Sequence, residues 1–226
     1  MKLSNKILFG FFGFAFIYLT AVFAEVRLRG IPNIINDNNS IAETVDMSGV
    51  SYLVLQNLDK QVNVVGSDRA RLEVRSISGD LLEKLNYQVS GDTLTLSERN
   101  SEEVKTFKIT FFVTKAHLKG ISVNAAGATV KGLDQEHLIV SQNAGRIRML
   151  ENMIRTIQLN VSDRSYLHIS AEGIDTLHAR IDNSEVHIAA PIQFLRGSMQ
   201  NKSSLRASDI DDIQFIKDDS SRLSLY

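Results

Sequence analysis

The sequence predicts an all-β protein: a single-stranded parallel β-helix (β-solenoid) preceded by one N-terminal transmembrane or signal-anchor helix. Three observations predict the solenoid. Small residues recur at Gly127, Gly145, Ser165, Ser184, Ser203 and Ser221, at intervals of 18, 20, 19, 19 and 18 residues. Two places after each comes Thr129, Ile147, Leu167, Val186, Leu205 or Leu223, and four places after comes Lys131, Met149, Ile169, Ile188, Ala207 or Leu225. Mostly apolar columns two residues apart are one strand face repeated unit after unit. Two places before the small residue stand Asn143, Asp163, Asp182, Asn201 and Asp219, with only Ala125 departing in the first unit. Asn and Asp tolerate left-handed backbone torsions and hydrogen-bond their own turn, so the column marks a recurring corner.

In chain order, residues 1–24 read as a membrane anchor or signal peptide. Lys2 and Lys6 precede an uncharged run from Ile7 to Ala24, which as a helix spans roughly 27 Å, near the thickness of a bilayer's hydrocarbon core. The small residues Val22 and Ala24 would also suit a signal-peptidase cut. Either way the remainder is exported: membrane-anchored in a periplasmic or other extracytoplasmic space, or secreted if the segment is cleaved. Residues 25–47 are dominated by Asn, Asp, Ser and Thr without a period and read as a tether. The β-solenoid domain is expected over 48–226.

Within it, 48–118 is the irregular first part. Short alternating runs such as QVNVV and FKITFFV read as strands, and Gly91-Asp92 sits where a tight hairpin turn belongs. The stretch around Leu81 to Leu85 suits a single helical turn. Residues 119–226 make about six regular coils. A repeat of about 19 residues is too short for a propeller blade and lacks a leucine-rich consensus. Its column register requires parallel coils stacked at roughly 4.8 Å.

Composition narrows the function. A formal net charge of −1 over 226 residues leaves no basic surplus for nucleic acid. The absence of Cys removes thiol catalysis, disulfides and thiolate metal sites. Five histidines without HxH or HExxH spacing give no zinc motif. Asp163, Asp182 and Asp219 could attract a cation, but Asn143 and Asn201 dilute their charge and the glycine-rich calcium repeat is missing. The acidic group Asp209, Asp211, Asp212, Asp218 and Asp219 reads as a solvated corner.

One pattern does suggest hydrolysis: Asp163, Ser165, His168 is repeated as Asp182, Ser184, His187. A nucleophile must lie within about 3 Å of its base, whereas three residues of extended chain separate them by roughly 10 Å. On a strand that alternates faces, the histidine column, Val130, Arg148, His168, His187, Arg206 and Ser224, points outward. The expected outcome is therefore an exposed polar row, Arg148, His168, His187 and Arg206. No catalytic, cofactor-binding or metal residue is assigned.

Gln61 to Gly66 (QVNVVG), Gly91 to Leu96 (GDTLTL) and the units from Gly120 onward together resemble the auto-transporter adhesin head GIN domain family, exported β-helix proteins of Bacteroidota. The resemblance covers about Val50 to Tyr226, although the family's usual Gly-Ser-Gly corners are replaced here by AAGA, NAGR, DRSY and DNSE. It implies an anchored or secreted parallel β-helix with no catalytic residues to carry over. The expected function is a non-enzymatic, adhesin-like scaffold for an envelope protein or glycan partner, without cofactor. The alternative is a carbohydrate-active enzyme, a polysaccharide lyase or hydrolase, using Glu185, Asp182 and Asp163 with Arg148 and Arg206.

Overall fold

The computed structural model describes residues 3–29, 39–77, 79, 81–82, 85–98 and 107–226. Two units are distinguished, Met1–Asn36 and Asp37–Tyr226. The first contains helix α1 (Leu3–Arg29). No proline interrupts it, and all but one of its described side chains, Phe11, Phe12, Phe14, Phe16, Ile17 and Phe23 among them, are exposed. Among the described residues no helix is long and apolar enough to cross a membrane.

The second unit is built from strands. Its first part contains β1 (Ile41–Asp46), β2 (Tyr52–Gln56), β3 (Gln61–Ser67), β4 (Arg71–Ser76), β5 (Leu85–Ser90), β6 (Thr93–Glu98) and β7 (Phe107–Thr114). The repeat region contains β8 (Gly120–Asn124), β9 (Gly127–Lys131), β10 (Asp134–Asn143), β11 (Arg146–Ser162), β12 (Tyr166–Ala171), β13 (Ile174–Asp182), β14 (Glu185–Ala189), β15 (Ile192–Gln200), β16 (Ser204–Ala207), β17 (Ile210–Lys217) and β18 (Arg222–Leu225).

From β8 onward every pairing is parallel and joins one coil to the next. Six coils result, each with one strand in a back sheet and one in a front sheet. The long β11 serves both sheets. Its first five residues pair with β9 and β12 in the front sheet, and its second half pairs with β10 and β13 in the back sheet. The bend between them falls at Glu151, whose φ is 57°, and the front-sheet register shifts between Leu150 and Asn152. Asn152 is 3% exposed and satisfies this corner: its Oδ1 accepts from the Leu133 N–H at 3.0 Å and its Nδ2 donates to the Val130 carbonyl at 3.1 Å.

The core is a set of columns between the sheets. Ala128, Ile147, Leu167, Val186 and Leu205 descend one front column, all essentially without exposure. Ile121, Val140, Leu159 and Ala179 descend a back column. Strand alternation is thus converted, coil after coil, into a continuous apolar interior whose burial supplies the main stabilising force.

Register corrects the first unit by one residue. Gly127 pairs with Arg146, so Ala126 rather than Gly127 stands with Gly145. Ala128 and Val130 therefore point inward and Thr129 and Lys131 outward. The shift also brings Asn124, not Ala125, opposite Asn143, so the Asn/Asp column extends into the first unit.

The corners explain why Asn, Asp and Ser recur. They come in two lengths. Residues 124–126, 143–145 and 182–184 each place one residue in the left-handed region, Ala125, Ala144 or Asn183. Residues 162–165 and 200–203 hold one more residue and place two there, Asp163 with Arg164 and Asn201 with Lys202. Where corners of different length meet, side chains bridge the coils: Asn143 donates to the Asp163 carboxylate, and Asn201 donates to the Asp182 carboxylate at 2.6 Å. Asn143 and Asp182 themselves remain in strand torsions, so at these two positions the Asn/Asp column serves bridging rather than left-handed geometry.

Beside this bridge runs a buried serine ladder. Ser165 Oγ accepts from Gly145 N–H at 3.3 Å, Ser184 Oγ from Ser165 N–H at 3.2 Å, Ser203 Oγ from Ser184 N–H at 3.4 Å, and Ser221 Oγ from Ser203 N–H at 3.2 Å. The hydroxyls of Ser165, Ser184 and Ser203 donate to carbonyls of their own corners. A small hydroxylated residue is thus required at a position 1–6% exposed, because a buried unpaired N–H costs free energy. Ser184→Ala is expected to lower stability by about 1–2 kcal/mol, read as a reduced denaturant midpoint. A Ser184→Ala variant as stable as the parent would show that the ladder contributes nothing.

The first part departs from simple winding. The coil β2–β3 lies between the coil β6–β7 and the coil β8–β9, so the stack does not follow chain order at this end. Antiparallel strands then close it: β4 against β7, β1 against β4, and β5 against β6 through the Gly91-Asp92 turn. The stretch 25–47, expected as a tether, accordingly includes the end of α1 and the edge strand β1. Alternation is weak in Ile41–Asp46, and its order comes from pairing with β4 and from Glu43, which accepts the Leu81 and Leu82 N–H groups. The helical turn expected at Leu81 to Leu85 has its closing bond, Leu85 N–H to Leu81 carbonyl at 3.0 Å, while 83–84 lie outside the described residues. Gly66, from the QVNVVG stretch, marks a close approach of backbones: a Cβ there would stand 1.9 Å from the Gly132 carbonyl oxygen.

Candidate functional site

The front sheet presents the expected polar row, begun by Thr129 instead of Val130. Thr129, Arg148, His168, His187, Arg206 and Ser224 are in register on successive coils. The rings of His168 and His187 are 5.0 Å apart and tilted by 54°. His187 Nε2 lies 2.6 Å from the Tyr226 hydroxyl, and Arg206 is 3.8 Å from the Glu185 carboxylate. Arg146 stands over the Tyr166 ring at 5.3 Å.

The two Asp, Ser, His sets do not assemble. Ser165 and Ser184 are buried in the corner ladder, with their hydroxyls committed to backbone. His168 and His187 lie on the outer face of a strand. Asp163 is bridged to Asn143, and Asp182 accepts from Asn201 and from Gln200. Glu185 lies on the front face while Asp182 ends the back-sheet strand β13, so these carboxylates do not flank a common space. Asp218 is likewise a corner group: the Ser221 hydroxyl and the Asn201 N–H hold its carboxyl below its ordinary range. Among the described residues no group of three or more His, Asp or Glu could hold a metal ion.

His168 carries the clearest electrostatic signature of the row. Partial burial, then the neighbouring His187 and Arg148, hold its pKa below the ordinary histidine value, and its Nδ1 is buried without a hydrogen-bond partner. The folded state thus binds fewer protons here than the unfolded chain. Stability conferred by neutral His168 is complete above the unfolded pKa of about 6.5 and is lost as pH falls through that value toward the folded pKa. His168→Gln is expected to flatten the fall in stability between pH 7 and 5, measured by denaturant titration at each pH. An unchanged slope would remove His168 from the account.

A second surface escaped the sequence reading. On the outer face of the back sheet, two adjoining hollows of about 370 and 360 Å³ share Asn160 and Arg180. Three coils contribute: Gln158 and Asn160 from β11, His178 and Arg180 from β13, and Arg196 from β15. Gln158, His178 and Arg196 form one column, and Asn160, Arg180 and Ser198 the next. Among the described residues neither guanidinium has an ion pair or side-chain hydrogen bond. No motif marks this surface, because its residues lie in three units and carry different side chains. The only sequence cue was their shared place in the repeat. A larger hollow of about 670 Å³, beside Lys119, Asp134, Glu136, Arg155 and Glu172, mixes both signs of charge, with Arg155 3.4 Å from Glu136.

Fold and surfaces together define a class: a parallel β-solenoid whose two sheets carry ordered polar rows on shallow outer faces. Solved structures place the chain among proteins of that architecture. A candidate adhesin from Bacteroides fragilis is similar over 83% of this chain and 97% of its own, at 13% identity and a TM-score of 0.56. A candidate lipid-binding protein from Parabacteroides distasonis covers 85% of this chain and 99% of its own, at 10% identity and a TM-score of 0.55. A candidate adhesin from the same organism covers 84% and 98%, at 14% identity and a TM-score of 0.53. At such identities the likeness is one of fold. No family model and no curated protein matches the chain.

Proposed function

We propose that this is a non-enzymatic cell-envelope protein, a β-solenoid held at a membrane by its N-terminal helix and presenting its sheet faces to a protein or glycan partner outside the cytoplasm. The observation that carries the reading is the pair of outer faces, where polar and cationic side chains stand rung upon rung while the hydroxyls of Ser165 and Ser184 are sealed in the corners. Rows of this kind offer a partner several evenly spaced contacts at once. The adhesin names carried by two proteins of the same architecture agree with such a role. A third carries a lipid-binding name, whereas the back-face hollows of this chain hold two cationic side chains, Arg180 and Arg196.

The tether rests on the uncharged run Ile7 to Ala24. Helix α1 (Leu3–Arg29) contains the whole of this run. Exposed Phe14, Phe16 and Phe23, at 70–72%, are costly in water and favourable in lipid.

Two measurements test the proposal. Alkaline carbonate extraction of cells making the full chain should leave it in the membrane pellet, while release of the intact chain would refute the anchor. Screening the purified full chain against protein and glycan arrays should yield saturable binding without turnover. Hydrolysis or elimination of a glycan, lost in Asp182→Ala and His187→Ala, would favour the enzymatic alternative instead.

A further inference from the structure

We propose that the back-face trough bounded by Gln158, Asn160, His178, Arg180 and Arg196 is a binding site for an acidic glycan, a linear oligosaccharide carrying carboxylate groups. The proposal rests on the scaffold reading above and names its partner class. Three features of the trough lead to it.

The first is charge without a counter-charge. Arg180 and Arg196 come from neighbouring coils, and neither is engaged by a carboxylate among the described residues. A guanidinium presents a planar fork of donors that matches a carboxylate in bidentate fashion. The nearest acidic side chain lining the adjoining hollow, Asp182, is already occupied by Asn201 and Gln200.

The second is the chemistry around the two cations. Gln158 and Asn160 supply amide donors and acceptors, and no side-chain hydrogen bond to either is made among the described residues. Sugar hydroxyls both donate and accept, as these amides do. Phe194, 41% exposed and two residues before Arg196 on the same strand, lies outside the lining of the hollows and offers an apolar ring to a longer ligand.

The third is shape. The columns repeat at the spacing of the coils, roughly 4.8 Å, comparable with the length of one pyranose unit. Successive sugars can therefore meet successive coils. The trough lies in the middle of a sheet, where β11, β13 and β15 use their backbone groups on each other, so a peptide cannot add there as a further strand. The front row is a weaker candidate for the same ligand: Arg206 faces Glu185, and the two central positions are histidines packed on each other.

The test titrates the full chain, in detergent solution, with a defined tetragalacturonate and with the same tetrasaccharide after reduction of its carboxylates. The acidic form should bind saturably and the reduced form at least tenfold more weakly, and affinity should fall as salt is raised. Arg180→Gln and Arg196→Gln should each weaken binding about tenfold, and Asn160→Ala to a smaller degree. Arg148→Gln and Arg206→Gln on the front face should leave it unchanged. All five replaced side chains lie on the outer faces, and circular dichroism of each variant checks that the fold is kept. The proposal is overturned if tetragalacturonate does not bind, if the reduced form binds equally well, or if the back-face variants bind like the parent. It is also overturned if polyglutamate or anionic vesicles compete through the same arginines with higher affinity. Failure here, with another array ligand still bound and the chain retained at the membrane, would leave the scaffold reading standing. Loss of all array binding would remove both.

Discussion

Gly197→Ala is expected to destabilise the solenoid by about 3 kcal/mol or more, the largest effect of any single-atom-scale change in the repeat region. Two costs combine. Gly197 has a φ of 141°, a conformation that residues with a Cβ rarely adopt. A Cβ there would also stand 1.9 Å from the Ala179 carbonyl oxygen on the neighbouring coil, and that oxygen belongs to backbone held in the sheet. Neither cost is relieved without separating β13 from β15. Gly173→Ala is the control, since a Cβ at that position meets nothing within 4 Å and its φ is not positive; its change should stay within about 1 kcal/mol. Denaturant midpoints compare the two directly, and equal midpoints would show that the close approach at Gly197 is readily relaxed.

Asn152→Ala should cost about 2–4 kcal/mol. The amide is one of few buried polar side chains, and it closes two backbone groups at the bend of β11, the Leu133 N–H and the Val130 carbonyl. Truncation strands both away from water and leaves a small void. Asn152→Asp separates the two bonds: it keeps an acceptor for Leu133, loses the donor to Val130 and buries a charge. Asn152→Asp should therefore regain stability on acidification relative to parent, whereas Asn152→Ala should be low at every pH. A denaturant series across pH 5–8 reads this. If Asn152→Ala matched the parent throughout, the bend would be held by its strands alone.

These two residues also show where sequence patterning ends. The column of Ile147, Leu167, Val186 and Leu205 is legible because every coil repeats the same local alternation. The serines at 165, 184, 203 and 221 are legible for the same reason, even though their hydrogen-bonding role is not. Asn152 and Gly197 occur once each. Their importance depends on a carbonyl or N–H supplied by the coil beside them, and no periodicity reports it. The front row of Arg148, His168, His187 and Arg206 was visible as a column, whereas the back-face trough of Asn160, Arg180 and Arg196 mixes amides with cations and becomes a site only through shared concavity.

The sequence alone determined that the second half winds as parallel coils and, from the second coil onward, where the corners fall and which strand face turns inward, because strand alternation and turn preference are local and act identically in each of those repeats. Tertiary structure alone decided that Ala126, not Gly127, opens the corner series, that β2–β3 is inserted between β6–β7 and β8–β9, and that Ile41–Asp46 joins the closing strands. Those outcomes are set by hydrogen bonds and side-chain packing between segments distant along the chain, and their free energy is paid or gained only when the coils meet.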